Sequence, residues 1–119
     1  MKKDNIIQKK SYNFALRIIQ LNQLLIKENK EYVLAKQVLK SGTSIGANIE
    51  EAIGAQSRKD FEAKLSISYK ETRETKYWLR LLRDSGLLNS DLATSLLKDC
   101  DELLKIIGSI LKTLKNPNS

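Results

Sequence analysis

Ser41-Gly42-Thr43-Ser44-Ile45-Gly46-Ala47-Asn48-Ile49-Glu50-Glu51-Ala52 puts small and polar residues where a helix would otherwise carry its apolar stripe. Around this stretch Leu34, Val38, Ser41, Ile45, Asn48, Ala52 and Ala55 recur three and four residues apart. That spacing gathers side chains on one side of an α-helix. The stretch is thus the middle of a helix over about 32–56, apolar at its ends and polar at its centre. Gly42 and Gly46 also invite a phosphate-loop reading, since glycines let backbone amides cradle phosphate. The G-x-x-x-x-G-K-[ST] pattern is absent and no strand precedes it, so a Gly-x-x-x-Gly face for close helix packing accounts for them better.

The same periodicity extends outward. Ile7, Ser11, Phe14, Ile18, Leu21 and Leu25 form the stripe of a first helix, widened by Leu16, Ile19 and Ile26 to serve more than one neighbour. Ser57 and Asp60 make an [ST]-x-x-[DE] helix start, followed by Phe61, Leu65, Ser68, Thr72, Thr75, Leu79 and Leu82, with Gly86 placed for a left-handed helix end. A last helix opens near Asn89-Ser90-Asp91 and buries Leu96, Cys100, Leu103, Ile107, Ile110 and Leu114 beside a row of Leu97, Leu104 and Leu111. Helices over about 4–28, 32–56, 58–84 and 90–114 with short joins predict an all-α, antiparallel up-down-up-down four-helix bundle, one domain over 1–119. Asn116-Pro117-Asn118-Ser119 reads as a frayed tail.

Folding the second helix onto the third about Ser57 pairs positions whose numbers sum to about 116: Asn48 with Ser68, Ile45 with Thr72, Ser41 with Thr75. The two polar centres then face each other as a close-packed seam. The Asn48 amide is expected to bond across it and fix the register, because an unpaired buried amide costs about 1–3 kcal/mol.

Composition excludes much chemistry. There is no histidine and a single cysteine, Cys100, so Ser-His and Cys-His nucleophiles, the usual zinc ligands and an intrachain disulfide are all missing. Cys100 lies on a core stripe and reads as a small buried hydrophobe. Glu50, Glu51, Glu71 and Glu74 collect near the middle of the bundle, but a carboxylate-bridged di-iron site needs Glu-x-x-His motifs. Lys70, Arg73 and Lys76 beside the latter two favour salt bridges instead. No enzymatic activity, cofactor or metal is expected. The apolar runs fall short of the ~20 residues of a membrane span, and no apolar leader core follows Met1-Lys2-Lys3-Asp4, so a cytoplasmic location is expected.

The formal charge of +7 is uneven: residues 1–30 carry +5, 31–56 −1, 57–84 +3 and 85–119 zero. In the third segment Tyr69, Tyr77 and Trp78 alternate with Lys70, Arg73, Lys76, Arg80 and Arg83, a mixture that can stack on bases and contact phosphates. Packing or interface anchoring is the structural account of the same aromatics. Candidate nucleic-acid contacts are Lys9, Lys10, Arg17, Lys70, Arg73, Lys76, Arg80 and Arg83.

The block Ser44-Ile45-Gly46-Ala47-Asn48-Ile49-Glu50-Glu51-Ala52, then Ser57-Arg58-Lys59-Asp60-Phe61, then the run from Lys64 to Leu82, resembles the bacterial four-helix bundle proteins encoded in intervening sequences of 23S ribosomal RNA genes. The family motif falls on Ser44, Asn48, Glu51, Arg58, Glu71 and Glu74. The chain departs from it at Glu50 and Ala52, where many relatives carry Ala and Gly. The resemblance implies a ring, commonly a homopentamer, similar to the accessory variability proteins of diversity-generating retroelements, which bind nucleic acid through a basic surface. It implies no catalytic activity. The expected function is a non-enzymatic oligomer binding RNA or DNA with little sequence reading; the alternative is a protein-interaction scaffold whose charge only solubilises.

Overall fold

The four predicted helices are present in the structure, a computed structural model that describes residues 2–115. The helices are α1 (Lys2–Asn29), α2 (Val33–Ile53), α3 (Arg58–Asp84) and α4 (Ser90–Lys115), with no strand among the described residues. The tail 116–119 lies outside them. α2 packs against α1 and α3, α3 against α4, and α4 returns to α1 as the least intimate pairing, in a body measuring 49 × 22 × 19 Å.

Local chemistry sets the helix ends. Ser57, in extended backbone, accepts the Asp60 amide at 3.0 Å through its hydroxyl and starts α3. Asn89 Oδ1 accepts the amides of Asp91 at 2.9 Å and Leu92 at 3.1 Å and starts α4. Glu31 Oε1 takes the Leu34 amide at 2.8 Å at the head of α2. After α3 the chain turns at Gly86 with φ +80°, as its position foretold; after α1 the left-handed residue is Lys30, φ 51°. α2 stops at Ile53, short of the predicted 56. Gly54 takes the C-cap, and the extended Ser57 that caps α3 needs the intervening residues as a turn.

The α1 stripe from Ile7 to Leu25 is buried throughout, as are Leu65, Ser68, Thr72, Thr75, Leu79 and Leu82 on α3 and Leu96, Cys100, Leu103, Ile107 and Ile110 on α4. On α2 the buried line runs through Ala35, Val38, Ser41, Gly42, Ile45, Ile49 and Ala52. Ile49 takes the place expected of Asn48, which sits half-buried at the margin.

The polar seam has a different chemistry from the one expected. The Asn48 amide donates to the Ser44 carbonyl of its own helix at 2.9 Å and does not bridge to Ser68. Ser68 instead donates to the Ile45 carbonyl across the seam at 2.9 Å, and the Ser41 and Thr75 hydroxyls meet at 2.9 Å. Thr75 has one proton, and the Glu71 carbonyl 2.8 Å away can only accept. Thr75 therefore gives its proton to that carbonyl and Ser41 supplies the proton of the bridge. Thr72 bonds within α3, to the Ser68 carbonyl at 2.8 Å. Short hydroxyl side chains satisfy themselves locally or across a narrow gap, so a longer amide is not needed at the seam.

The two glycines face the other way, toward α1. A methyl group built on Gly42 would stand 2.8 Å from both Cγ1 and Cγ2 of Ile18, and one on Gly46 would stand 3.3 Å from the Ser11 carbonyl oxygen. The Gly-x-x-x-Gly face thus seats α1, while Ser41 and Ile45 seat α3.

Candidate nucleic-acid interface

The predicted cations separate into two sets according to the groove they border. Lys10 pairs with Glu102 at 2.9 Å, and Arg17 with Asp99 at 2.5 Å and with the Ser95 hydroxyl at 3.0 Å, all from α1 to α4. These two side chains clasp the least packed helix pair, in a hollow where α4 acids match them one for one. Lys9 is exposed and makes no ion pair among the described residues.

The other set lines the groove between α3 and α4. Three adjoining hollows of about 490, 440 and 460 Å³ follow that groove. The first lies among Tyr69, Lys70, Gly108, Lys112 and Lys115. The middle one shares Tyr69 and adds Arg73, Lys76, Tyr77 and Arg80. The third shares Lys76 and Arg80 and ends at Arg83, Lys98 and Asp101. Helical spacing explains the line-up: residues 69, 73, 76, 80 and 83 step by four and three along one edge of α3. From Lys70 to Arg83 the groove runs about 20 Å at the helical rise.

Lysines and arginines line these hollows with Asp101 as the sole acid. Lys76 pairs with Asp101 at 2.7 Å, and Arg83 with its neighbour Asp84 at 2.8 Å. The Arg83 hydrogen bond holds the Asp84 carboxyl below its ordinary range. Lys70, Arg73, Arg80, Lys98, Lys112 and Lys115 make no ion pair among the described residues, although Lys70 stands within electrostatic reach of Glu71 and Arg80 of Asp84. Lys98, Lys112 and Lys115 were missed in the sequence because α4 is neutral overall. Laying α4 on α3 about the Gly86 turn would have found them, since Lys76 meets Asp101 and Tyr69 meets Gly108, pairs with the same sum.

The aromatics divide as well. Trp78 is half-buried against the core and its indole N–H donates to Glu74 at 3.3 Å. Tyr77 is 50% exposed and forms a T-shaped pair with Trp78, ring centres 5.2 Å apart.

The four central acids do not converge. Glu50 accepts the Gln8 amide at 3.0 and 3.1 Å, and Glu51 is exposed. Glu71 is partly buried; that burial first and the neighbouring Glu74 second raise its pKa above the ordinary glutamate value, against the pull of Lys40 and Lys70. Among the described residues no group of three His, Cys, Asp or Glu side chains could hold a metal ion, and no helix is long and apolar enough to cross a membrane. Of the remaining motif residues, Ser44 donates to the Lys40 carbonyl of its own helix at 2.6 Å. Arg58 donates to the Leu114 carbonyl at 3.1 Å, placing a cation on the C-terminal end of α4 where the helix dipole is negative.

A crystal structure of a protein of unknown function from the S23 ribosomal protein family of Bacteroides thetaiotaomicron VPI-5482 is similar to this chain, at 50% identity and a TM-score of 0.92, covering 93% of this chain and 99% of its own. No curated protein matches. The family model described as 23S rRNA-intervening sequence protein matches residues 3–109. With that match spanning most of its four helices, the chain belongs to the 23S rRNA-intervening sequence protein family.

Proposed function

We propose that this protein is a non-enzymatic, cytoplasmic nucleic-acid-binding bundle that holds RNA or DNA by its phosphates, with the α3–α4 groove as the contact surface. The carrying observation is the groove lining, in which lysines and arginines from two helices meet a single acid. A surface of that kind concentrates polyanions, and each phosphate it neutralises releases counterions. Lys10 and Arg17 serve the α1–α4 clasp in this reading, and Lys9 lies apart from the groove.

The bundle is read as up-down-up-down. Gln8–Glu50 and Asn22–Ala35 between α1 and α2, Ser41–Thr75 and Ile45–Ser68 between α2 and α3, and Lys10–Glu102 and Arg17–Asp99 between α1 and α4 all fall in number on one helix as they rise on the other. Assembly into a homo-oligomeric ring, a pentamer in the family resemblance, is supported by an exposed apolar row on the outer side of α1. Tyr12, Leu16, Ile19 and Ile26 stand there at 62, 45, 41 and 38% exposure. Assembly would multiply the +7 charge of each subunit.

Fluorescence anisotropy with a labelled RNA oligonucleotide at two salt concentrations tests the binding, with light scattering after size exclusion for the assembly. Affinity that falls steeply with salt is expected, as is weaker binding by Arg73→Gln/Arg80→Gln and unchanged binding by Lys9→Gln. Absence of binding, or affinity indifferent to salt, refutes the reading and leaves the scaffold alternative.

A further inference from the structure

We infer that Tyr77 is a stacking platform for an unpaired base, so that the α3–α4 groove takes single strands in preference to duplexes. This rests on the nucleic-acid binding proposed above and specifies its substrate. Of the four aromatics on α3, Phe61 packs against the core at its start, and Trp78 is committed: its ring packs against the core and its N–H is bonded to Glu74. Tyr77 is different. Half of it is exposed on the rim of the middle hollow, its hydroxyl has no hydrogen-bond partner among the described residues, and it touches Trp78 edge to face at an interplanar angle of 67°.

Arg73 and Arg80 stand four residues before and three after Tyr77 and border the same hollow, and neither makes an ion pair among the described residues. A half-exposed aromatic ring flanked along the groove by guanidinium groups that make no ion pair matches the repeat of a single strand, in which a base can leave its stack while the phosphates on either side stay paired with cations. Duplex bases are already stacked on each other and present only their edges, so the ring would add nothing to duplex binding. Tyr69, half-buried over Gly108 at the join of two hollows, lengthens the apolar floor of the same track.

The chain's single tryptophan gives the experiment its own reporter, because Trp78 touches Tyr77. The unlabelled protein is titrated with an oligouridylate 12-mer, an oligothymidylate 12-mer and a blunt-ended 12-base-pair duplex, reading Trp78 emission and, in parallel, anisotropy of labelled strands. The expected result is tighter binding of both single strands than of the duplex, with the emission change confined to the single strands. Tyr77→Phe keeps wild-type affinity; Tyr77→Leu loses roughly 5- to 150-fold for single strands, keeps its duplex affinity and keeps the salt slope. Arg73→Gln/Arg80→Gln weakens both forms and lowers the slope for single strands by about 1.4. Equal affinity for the two forms, wild-type binding by Tyr77→Leu, or equal losses in the Phe and Leu variants each overturn the stacking role while leaving nucleic-acid binding standing. A wild-type protein that binds none of the probes removes both.

Discussion

Gly42→Ala is the substitution for which helix propensity and packing give opposite answers. In an isolated helix, alanine is about 1 kcal/mol better than glycine. Here the added methyl would stand 2.8 Å from two carbons of Ile18 and 3.2 Å from its Cβ, and Ile18 is fully buried. Rotating a β-branched side chain exchanges one arm for the other without clearing the contact, so α1 itself must shift. Overpacking of this kind costs about 1–3 kcal/mol, and a clash with both arms belongs at the upper end. The net expectation is a loss of about 1–2 kcal/mol, read as a lower urea midpoint at unchanged slope. Gly108→Ala is the internal control: its methyl would meet Tyr69 at an ordinary 3.5 Å, so the propensity gain of up to ~1 kcal/mol appears as stabilisation. In the background of Ile18→Ala, which removes both 2.8 Å clashes and leaves only the 3.2 Å contact with Cβ, Gly42→Ala should destabilise far less. A Gly42→Ala protein as stable as wild type, or the same loss in the Ile18→Ala background, would refute the close approach of α1 and α2.

Thr75→Val removes the hydroxyl that Ser41 meets and should cost about 1–2 kcal/mol in urea unfolding; Asn48→Ala, which loses a bond within its own helix at a half-buried position, should cost clearly less. Burial pushes the Cys100 thiol up to about 12, with Asp101 and Asp99 adding to it. It should resist iodoacetamide at pH 8 until the protein unfolds, and rapid native-state alkylation would contradict its burial. Because the raised value belongs to the folded state, the stability linked to Cys100 is complete below the unfolded thiol value of about 8.5 and is lost as pH rises toward about 12, a loss that Cys100→Ala should lack. Glu71 is raised in the same sense, so its ionised form burdens the fold once pH has risen through its folded value. Glu71→Gln should stabilise modestly at pH 7, by less than ~1 kcal/mol, and the gain should vanish near pH 3 when thermal midpoints are compared across pH.

What was legible in the sequence follows from which interactions are periodic. The α1, α3 and α4 stripes, the Ser57 and Asn89 caps and the Gly86 turn depend on spacing or on one residue's own conformational preference, and both are written locally. Asn48 was misplaced because helical phase alone does not separate it from Ile49. Which of the two enters the core depends on how far α2 rolls, and the Gly42 and Gly46 contacts with α1 set that roll. The cations show the same limit. Lys10 and Arg17 look as free as Arg73 in the sequence, yet α4 presents Glu102 and Asp99 on one edge and Lys98 and Lys112 on the other.

That division of α4 ties the packing to the proposed activity. Where the small residues of α2 draw α1 and α3 close, the seams are filled by methyl and hydroxyl groups and leave nothing to present. α4 is held differently, by ion pairs to α1 on one side and over a cation-lined groove to α3 on the other. Neutralising Asp99 and Glu102 would therefore release Arg17 and Lys10 and loosen the α1–α4 clasp while leaving the α3–α4 lining intact. Asp99→Asn/Glu102→Gln should lose at most ~1 kcal/mol per exposed pair. If the groove is the binding surface, this variant should hold an RNA oligonucleotide nearly as wild type does, despite its two extra units of positive charge. A large rise in affinity would move the contact surface to α1.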